Sequence, residues 1–495
     1  MLQKEQAILS TGYWKMINTI LDRWKKISVE AKASVALIIA TFFTRGISFI
    51  TTPIFSRLMT TSEYGEVTNY QAWVSVLEPV AILGLTSAGV FNVGLNEYRD
   101  SREQYMSAML GLCNMMTILI FGIIEVLKLL GGSFSMVSDS LMPLMMIHFL
   151  FSPAQVFWVT RQRYEYKYKL AITITILSVI FSQAAALYAV VFLEGNKAVN
   201  RLWGNEIGAF LIYFFIYIYL ICSGKSYVKL SYWKNIFMFA VPLIPHYIAQ
   251  HVMSSSDRIM LVNIKDESTA GIYGLVANIG VIASIVWNSI NSSLMPYTYE
   301  KMNGKDYKSI DRTIRSVLFP YAVICIFISL TAPEILWILA PPEYYSGITI
   351  VPCFAMISFV QALYNVFANI EFYYKKSAFI SAATIIAAVC NLGLNLILIP
   401  RYGFVGASYA TLLSTVILVL LHYLGMKRAM AGEKLYSVGK IAAISAMCFT
   451  GSLLCNLLYK NTVIRYLTIL TIVMTVVCLR KKIEENIYSF SERRK

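Results

Sequence analysis

This chain contains few charged residues for its length. Only 14% of its 495 residues are Asp, Glu, Lys or Arg, whereas 57% are hydrophobic. A soluble protein of this length needs a polar surface that so few charged residues cannot provide. The apolar residues fall instead in runs of about 20, the length at which a helix crosses a hydrocarbon core of about 30 Å. Because backbone groups in lipid must be hydrogen-bonded internally, these runs predict helices, and the fold class is all-α integral membrane.

Several other absences narrow the function. The eight Cys form no CxxC pair, so neither a metal site nor a disulfide framework is expected. Nucleotide-binding loops, HExxH motifs and paired loop carboxylates are missing, so we expect no cofactor and no enzyme activity. No cleavable signal peptide is recognised, and the short loops argue against a membrane enzyme such as a polysaccharide polymerase.

Fourteen long apolar spans can be placed in the sequence. They are 34–55, 68–91, 105–127, 141–160, 170–193, 203–222, 233–262, 270–294, 317–339, 347–374, 378–399, 404–426, 438–458 and 463–479. Every second gap, together with both termini, carries 32 of the 42 Lys and Arg, and the other gaps carry 9. Positive charge stays in the cytoplasm, so both termini are predicted to be cytoplasmic.

The net charge of +15 is therefore mainly a topology signal. Its basic residues are scattered over short loops, which does not favour a nucleic-acid partner. At the N-terminus, residues 1–32 show apolar positions at helical spacing beside basic ones, which predicts an amphipathic helix on the inner leaflet.

A weak internal repeat indicates how the spans are organised. The segment Ser56–Met59 after span 1 is similar to Asp257–Met260 at the end of span 7, and each precedes a loop with a Gly. Both copies start from the cytoplasm, so the repeat is parallel. We therefore predict an N-terminal lobe at 33–232, a C-terminal lobe at 233–430, each of six helices, and two further helices with a tail at 431–495.

Arg45 is a basic residue near the middle of span 1. Placing a guanidinium there costs at least about 2.5 kcal/mol, so it is expected to face a cavity or a partner. Its planar fork matches phosphate oxygens, which favours a phosphate clamp, and a bond to neighbouring helix carbonyls is the structural alternative.

Further ionisable residues lie in or near the spans. The repeat places His246 opposite Arg45, with His251 beyond it, where Pro242 and Pro245 should break the helix. Either His is a candidate to bind an anionic head group or carry a proton, or forms an ordinary interhelical bond. Glu78 is a candidate counter-ion of Arg45 or an ion-coupling site.

The outer end of span 7 carries Asp257 and Arg258, which are candidates for an outer gate or a solvated pair. His148 in span 4 is interpreted mainly as packing. Glu371 stands at the inner end of span 10 beside two Tyr and two Lys, which are interpreted as an interfacial anchor.

Several short motifs, weak singly but ordered along most of the chain, give a family resemblance. They are Arg57–Met59 through Gly65, Asp257–Leu261 through Tyr273, Pro296-Tyr297 with Asp306-Tyr307, Ala332–Ile335 with Pro342–Tyr345, and Ile399-Pro400 through Ala407. The chain resembles the Wzx-type polysaccharide-transporter flippases of the multidrug/oligosaccharidyl-lipid/polysaccharide exporter superfamily.

This resemblance implies a monomeric two-lobed transporter of the bacterial cytoplasmic membrane. It would flip an undecaprenyl-pyrophosphate-linked oligosaccharide to the outer leaflet by alternating access, for O-antigen, capsule or a similar polymer, in contact with membrane lipids and polymerase or assembly partners. Arg45 also occupies a setting similar to that of a span-1 Arg in lipid II flippases. The alternatives are a lipid II flippase, a drug or cation antiporter and, outside transport, a polymerase or a structural assembly partner.

Overall fold

A computed structural model of the protein describes residues 29–85, 94–130, 136–475 and 478, and this part of the chain contains no β-strand. Its helices are α1 Val29–Leu58, α2 Thr61–Ala81, α3 Arg102–Leu129, α4 Met142–Tyr164, α5 Tyr168–Phe192, α6 Lys197–Gly224, α7 Leu230–Ala240, α8 Ile244–Ile264, α9 Glu267–Asn303, α10 Tyr307–Leu330, α11 Ala332–Leu339, α12 Val351–Tyr373, α13 Ser377–Ala429, α14 Val438–Leu458 and α15 Thr462–Thr475.

Each of the fourteen predicted spans coincides with helix over most of its length. Ten helical stretches in the described residues are long and apolar enough to cross a membrane. The predicted all-α integral membrane fold class is confirmed. The predicted amphipathic helix falls mostly on residues 1–28, which lie outside the described residues.

Helix α13 accounts for two predicted spans. Its 53 residues would extend for about 80 Å as one straight helix, far more than a bilayer requires. The helical path is interrupted at Gly403, whose φ of 55° and ψ of −134° are not helical, three residues after Pro400. A left-handed φ favours glycine, which has no Cβ to clash there. The arms on either side of Gly403 match the spans predicted at 378–399 and 404–426.

The helix break predicted at Pro242 and Pro245 is also present. Helix α7 ends at Ala240, a single 3-10 turn covers Val241–Leu243, and α8 begins at Ile244. Proline lacks the N–H that a continuous helix would use and clashes with the preceding turn, so it is tolerated at the start of α8. Helix α8, which begins at this break, carries several of the polar residues described below, among them Ser256 and Asp257.

The described residues divide into two compact units. The first unit contains those up to Thr51 and Glu78–Pro242, and the second unit contains Thr52–Leu77 and those from Leu243 onwards. Residues 52–77, the end of α1 and most of α2, thus pack with the C-terminal half of the chain. The lobe boundaries at 33, 233 and 431 stay a prediction.

The two copies of the sequence repeat meet inside the second unit, where α2 crosses α9. A Cβ on Gly65 would overlap the carbonyl of Glu267, and a Cβ on Gly271 would overlap the carbonyl of Thr61. The hydroxyls of Thr61 and Ser268 lie 2.7 Å apart at the same crossing. Small residues let two helix backbones approach this closely, which explains the Gly at each position. Both glycines lie in the first turns of α2 and α9 rather than in the loops predicted from sequence.

Arg57 has a structural role at the end of α1. Its guanidinium donates to the carbonyls of Trp337 and Ile338, both at 3.1 Å. The neighbouring Ser56 hydroxyl donates to the carbonyl of Leu339 at 2.6 Å. These carbonyls end the short helix α11 and have no further helical turn to bond. The first copy of the repeat therefore caps a helix of the second unit.

Candidate functional site

A buried carboxylate in the second unit joins α8, α9 and both arms of α13. Asp257 is only 3% exposed. It accepts hydrogen bonds from the Tyr273 hydroxyl at 2.5 Å, the Asn395 amide at 2.8 Å and the Thr411 hydroxyl at 2.6 Å. Three donors are what a buried carboxylate requires in place of water, so the three helices are held together through one side chain.

The hydrogen bonds continue beyond Asp257. The Asn391 side chain donates to Ser414 at 3.1 Å and accepts from Ser256 at 3.2 Å. Its carbonyl also accepts from Asn395 at 3.2 Å, and neither Asn is exposed. We call these residues the Asp257 network: Ser256, Asp257, Tyr273, Asn391, Asn395, Thr411 and Ser414.

The chemistry of the Asp257 network is that of oxygen donors around one negative charge. Carboxylate, amide and hydroxyl oxygens suit a proton or a small hard cation better than a transition metal. Consistent with this, the described residues contain no cluster of three or more His, Cys, Asp or Glu positioned to hold a metal ion.

A cavity of about 300 Å³ lies beside this network and is lined by residues of α8, α9, α12 and α13. Its polar lining consists of Gln250, Ser254, Asp257, Arg258, Tyr273, Ser284, Ser358, Gln361, Tyr364, Thr384, Thr411 and Thr415. The Nε atom of Arg258 is buried and has no hydrogen-bond partner among the described residues. A polar cavity of this volume holds several water molecules or one small polar group.

Two His–Glu pairs form further ionisable sites, one in each unit. In the first unit, Nδ1 of His148 on α4 lies 3.0 Å from a carboxylate oxygen of Glu206 on α6. Their side chains are 28% and 12% exposed. Glu78 is close enough to act electrostatically on His148. His148 thus contacts a carboxylate, in addition to the packing role interpreted from the sequence.

In the second unit, Glu371 on α12 contacts Nδ1 of His422 on α13, and both side chains are 0% exposed. Glu371 lies next to the Tyr and Lys residues predicted to anchor the interface, but its own carboxylate is buried inside the protein. The Tyr364 ring packs edge-on against His422, with centroids 4.8 Å apart.

Arg45 and Glu78 do not form a pair in the described residues. Arg45 lies on α1, is exposed, and has no hydrogen bond or ion pair within that part of the chain. Glu78 lies near His148 instead. The clamp role of Arg45 and the ion-coupling role of Glu78 stay predictions.

The predicted residues of span 7 occupy different surroundings. His251 is partly buried, and its Nδ1 lies 2.8 Å from the Ser75 hydroxyl. Nδ1 of His246 is buried without a hydrogen-bond partner in the described residues. Asp257 belongs to its own network, and Arg258 lines the cavity. Substrate binding by the two His and an outer gate at Asp257 and Arg258 stay predictions.

Sequence reasoning missed four important side chains: Glu206, Asn391, Asn395 and His422. Glu206 and His422 lie inside predicted spans, so a search for every ionisable residue within a span would have found them. Asn391 and Asn395 are four residues apart on one helix face, but Asn in a membrane helix is common enough that only the position of Asp257 distinguishes them.

Residues 31–302, more than half of the chain, match the sequence pattern of the family described as "Polysaccharide biosynthesis protein". The chain belongs to this family. A curated relative, a protein of the Lsg locus of Haemophilus influenzae, is 24% identical over 245 residues. That match covers 45% of this polysaccharide biosynthesis protein and 60% of the relative.

Solved structures show what fold this polysaccharide biosynthesis protein has. It is similar to the lipid II flippase MurJ in an inward closed conformation, with a TM-score of 0.67, 14% identity and coverage of 90% of this chain and 99% of that one. A multidrug resistance MATE family transporter in an inward-facing conformation gives a TM-score of 0.60 at 11% identity, with coverage of 80% and 95%. The predicted family and the multi-span transporter fold are confirmed.

Proposed function

We propose that this protein flips undecaprenyl-pyrophosphate-linked oligosaccharides from the inner to the outer leaflet of the bacterial cytoplasmic membrane by alternating access. The repeat units would then be polymerised outside, as in O-antigen or capsule assembly. Both termini are cytoplasmic in this proposal, because that side receives most of the Lys and Arg.

One combination of findings carries the proposal. The chain belongs to a polysaccharide biosynthesis family and has the fold of membrane transporters that include a lipid II flippase. Family membership supports a polysaccharide precursor as cargo, and the fold supports translocation rather than bond formation. The hydroxyl-rich and amide-rich cavity of the second unit offers the kind of groups that contact sugars or water.

Arg45 is the side chain that we propose for the pyrophosphate. It is an exposed cation on a helix that we propose spans the membrane. A charge there is unfavourable in free energy unless it contacts an anion or a water-filled space. A guanidinium can form two parallel hydrogen bonds with phosphate oxygens, whereas a lysine ammonium acts as a point charge. His246, whose Nδ1 has no partner within the described residues, is proposed as a second donor to the cargo.

The test is translocation in proteoliposomes. Undecaprenyl-pyrophosphate oligosaccharide is incorporated, and its protection from an external glycan-modifying enzyme is scored with wild type, Arg45→Ala and Arg45→Lys. We expect protein-dependent flipping that falls by about 100-fold or more in Arg45→Ala and is partly retained in Arg45→Lys, because charge remains but the fork is lost.

Two controls test the role of Arg45 and the identity of the cargo separately. Arg57→Ala matches Arg45→Ala in charge, yet Arg57 is bonded to helix carbonyls and should affect stability instead. Full activity in Arg45→Ala would contradict the phosphate-clamp role of Arg45, but it would leave the flippase function standing. No translocation of the oligosaccharide by wild type, with uptake of a cationic dye in the same vesicles, would replace the flippase proposal with an antiporter.

The surroundings of the protein follow from this proposal. It works as a monomer among membrane lipids and passes its cargo to a polymerase or other assembly protein. Nothing in the proposed cycle requires a cofactor or a resident metal ion.

A further inference from the structure

The Glu371–His422 pair is unusual because two ionisable side chains are in contact without any exposure of either. Each also keeps one buried atom without a hydrogen-bond partner in the described residues, Oε1 of Glu371 and Nε2 of His422, whereas in the His148–Glu206 pair this is true only of Oε1 of Glu206. A purely structural polar pair is normally satisfied on all its atoms, since each unsatisfied buried group is destabilising. The pair therefore has room in its hydrogen bonding for a further proton.

Packing around the pair is shaped to admit the carboxylate. Gly425 lies one helical turn after His422, and a Cβ there would overlap Oε1 of Glu371 and the Phe379 ring. The glycine leaves the space in which the carboxylate sits. The position of Glu371 is thus defined from two sides, by the imidazole and by the missing side chain.

The pair lies next to the cavity of the second unit. Tyr364 lines that cavity and also packs edge-on against the His422 ring. The phenol ring therefore stands between the pair and a space of about 300 Å³. A rotation of this one ring, or a small movement of α12 against α13, would connect the pair to the cavity.

We propose that Glu371 and His422 form an occluded proton-binding site that couples transport to a proton gradient, reached from the cavity past Tyr364. This inference rests on the proposed transport function. It replaces Glu78 and the span-7 His as the carrier with a pair that the sequence did not indicate.

The proton balance is simple. With one proton between them, the pair is neutral overall, as a carboxylic acid with imidazole or as a carboxylate with imidazolium. Binding one more proton gives an imidazolium beside a carboxylic acid, with a net charge of +1. A net charge is costly in a site without water and much less so once the site is hydrated. Proton binding therefore shifts the equilibrium between occluded and open conformations.

Other ionisable groups bear on this pair. His246 of α8 and Tyr364 of α12 interact electrostatically with it. The helices packed against α12 or α13 carry these charged groups: Asp257 and Arg258 of α8, Glu267, Glu300 and Lys301 of α9, Lys308, Asp311, Arg312 and Arg315 of α10, Arg401, Lys427 and Arg428 of α13, and Lys440 of α14. Lys375 and Lys376 follow Glu371 in sequence. Asp311 is held by Arg315 at 2.9 Å, so the pair remains the buried acid–base contact of this region.

The experiment compares wild type with Glu371→Gln, His422→Gln and the double variant. The matched control is Glu206→Gln, from the partly exposed His148–Glu206 pair. In proteoliposomes, flipping driven by an imposed pH gradient is compared with exchange at equal pH. We expect the gradient-driven component to fall by at least about tenfold in the Glu371 and His422 variants, while exchange changes by less than about threefold. Glu206→Gln should keep its response to the gradient.

A second readout needs no cargo. Infrared difference spectra on changing pH should contain a carboxylic-acid band that is missing in Glu371→Gln and altered in His422→Gln. If a single variant does not fold, the double variant supplies the comparison, because it removes both charges and keeps both shapes. If wild type flips nothing, the proposed function is wrong and the infrared band alone decides the proton site. An unchanged gradient response in all variants, or an infrared band that Glu371→Gln retains, overturns the inference.

Discussion

The first unit joins His148 of α4 to Glu206 of α6, and the second unit joins Glu371 of α12 to His422 of α13. In the predicted six-helix repeat these are corresponding spans, with acid and base exchanged. The first pair is 28% and 12% exposed, whereas the second is fully buried. Identical chemistry is thus placed in two different solvent environments within one chain.

The comparison shows that burial rather than residue type decides what a polar pair can do. Where a pair is partly hydrated, water compensates for a change in its charge, and the pair behaves as an ordinary interhelical bond. Where it is fully buried, every change of charge must be accommodated by the protein itself. A change of protonation therefore affects the conformational equilibrium strongly only when it occurs in a fully buried pair.

The largest difference should appear when one partner of each pair is removed. We expect Glu371→Ala to lower the free energy of unfolding by about 3–5 kcal/mol, because it leaves His422 buried without its partner. Glu206→Ala should cost only about 1 kcal/mol, since both side chains of that pair are partly exposed. Thermal unfolding of the purified proteins in one detergent measures both, and equal losses would remove the distinction between the pairs.

A smaller effect should follow from adding a methyl group beside the buried pair. Gly425→Ala overlaps the Glu371 carboxylate and should destabilise the protein by about 1–3 kcal/mol. Gly393→Ala is the matched control, because Gly393 lies on the same helix and has no atom within 4 Å of the added Cβ. It should be neutral or stabilising by up to about 1 kcal/mol. A stable Gly425→Ala variant would mean that Glu371 is free to move away.

The smallest effect is expected for the partly exposed pair, His148 and Glu206. A double-mutant cycle with His148→Gln and Glu206→Gln should give a coupling energy of about 0.6 kcal/mol, the average for polar contacts between membrane helices. The same cycle on Glu371 and His422 provides the reference. A coupling energy above about 2 kcal/mol for His148 and Glu206 would show that exposure does not weaken that pair.

The repeat motifs make a related point about reading function from sequence. Ser56-Arg57 and Asp257-Arg258 align as copies, yet Arg57 caps α11 while Arg258 lines the cavity of the second unit. Similar residues at corresponding positions have therefore acquired different contacts. The glycines that follow them, Gly65 and Gly271, keep an equivalent role because both lie at one helix crossing.

The sequence by itself determined the membrane fold class, the helix positions and the breaks at Pro242 and Gly403. These depend on local properties: hydrophobic length, the missing N–H of proline and the backbone freedom of glycine. Family membership also followed from motifs that the chain carries in order.

Only the tertiary structure decided which polar side chains are neighbours. Glu371 and His422 are 51 residues apart in the chain, and Asp257 and Asn395 are 138 apart. In a span of about 20 apolar residues, each side chain faces lipid, another helix or a cavity according to how the helices pack, and hydrophobicity does not distinguish these surroundings. Glu371, which the sequence places beside the predicted interfacial Tyr and Lys, is buried because α13 has a glycine, Gly425, where its carboxylate lies.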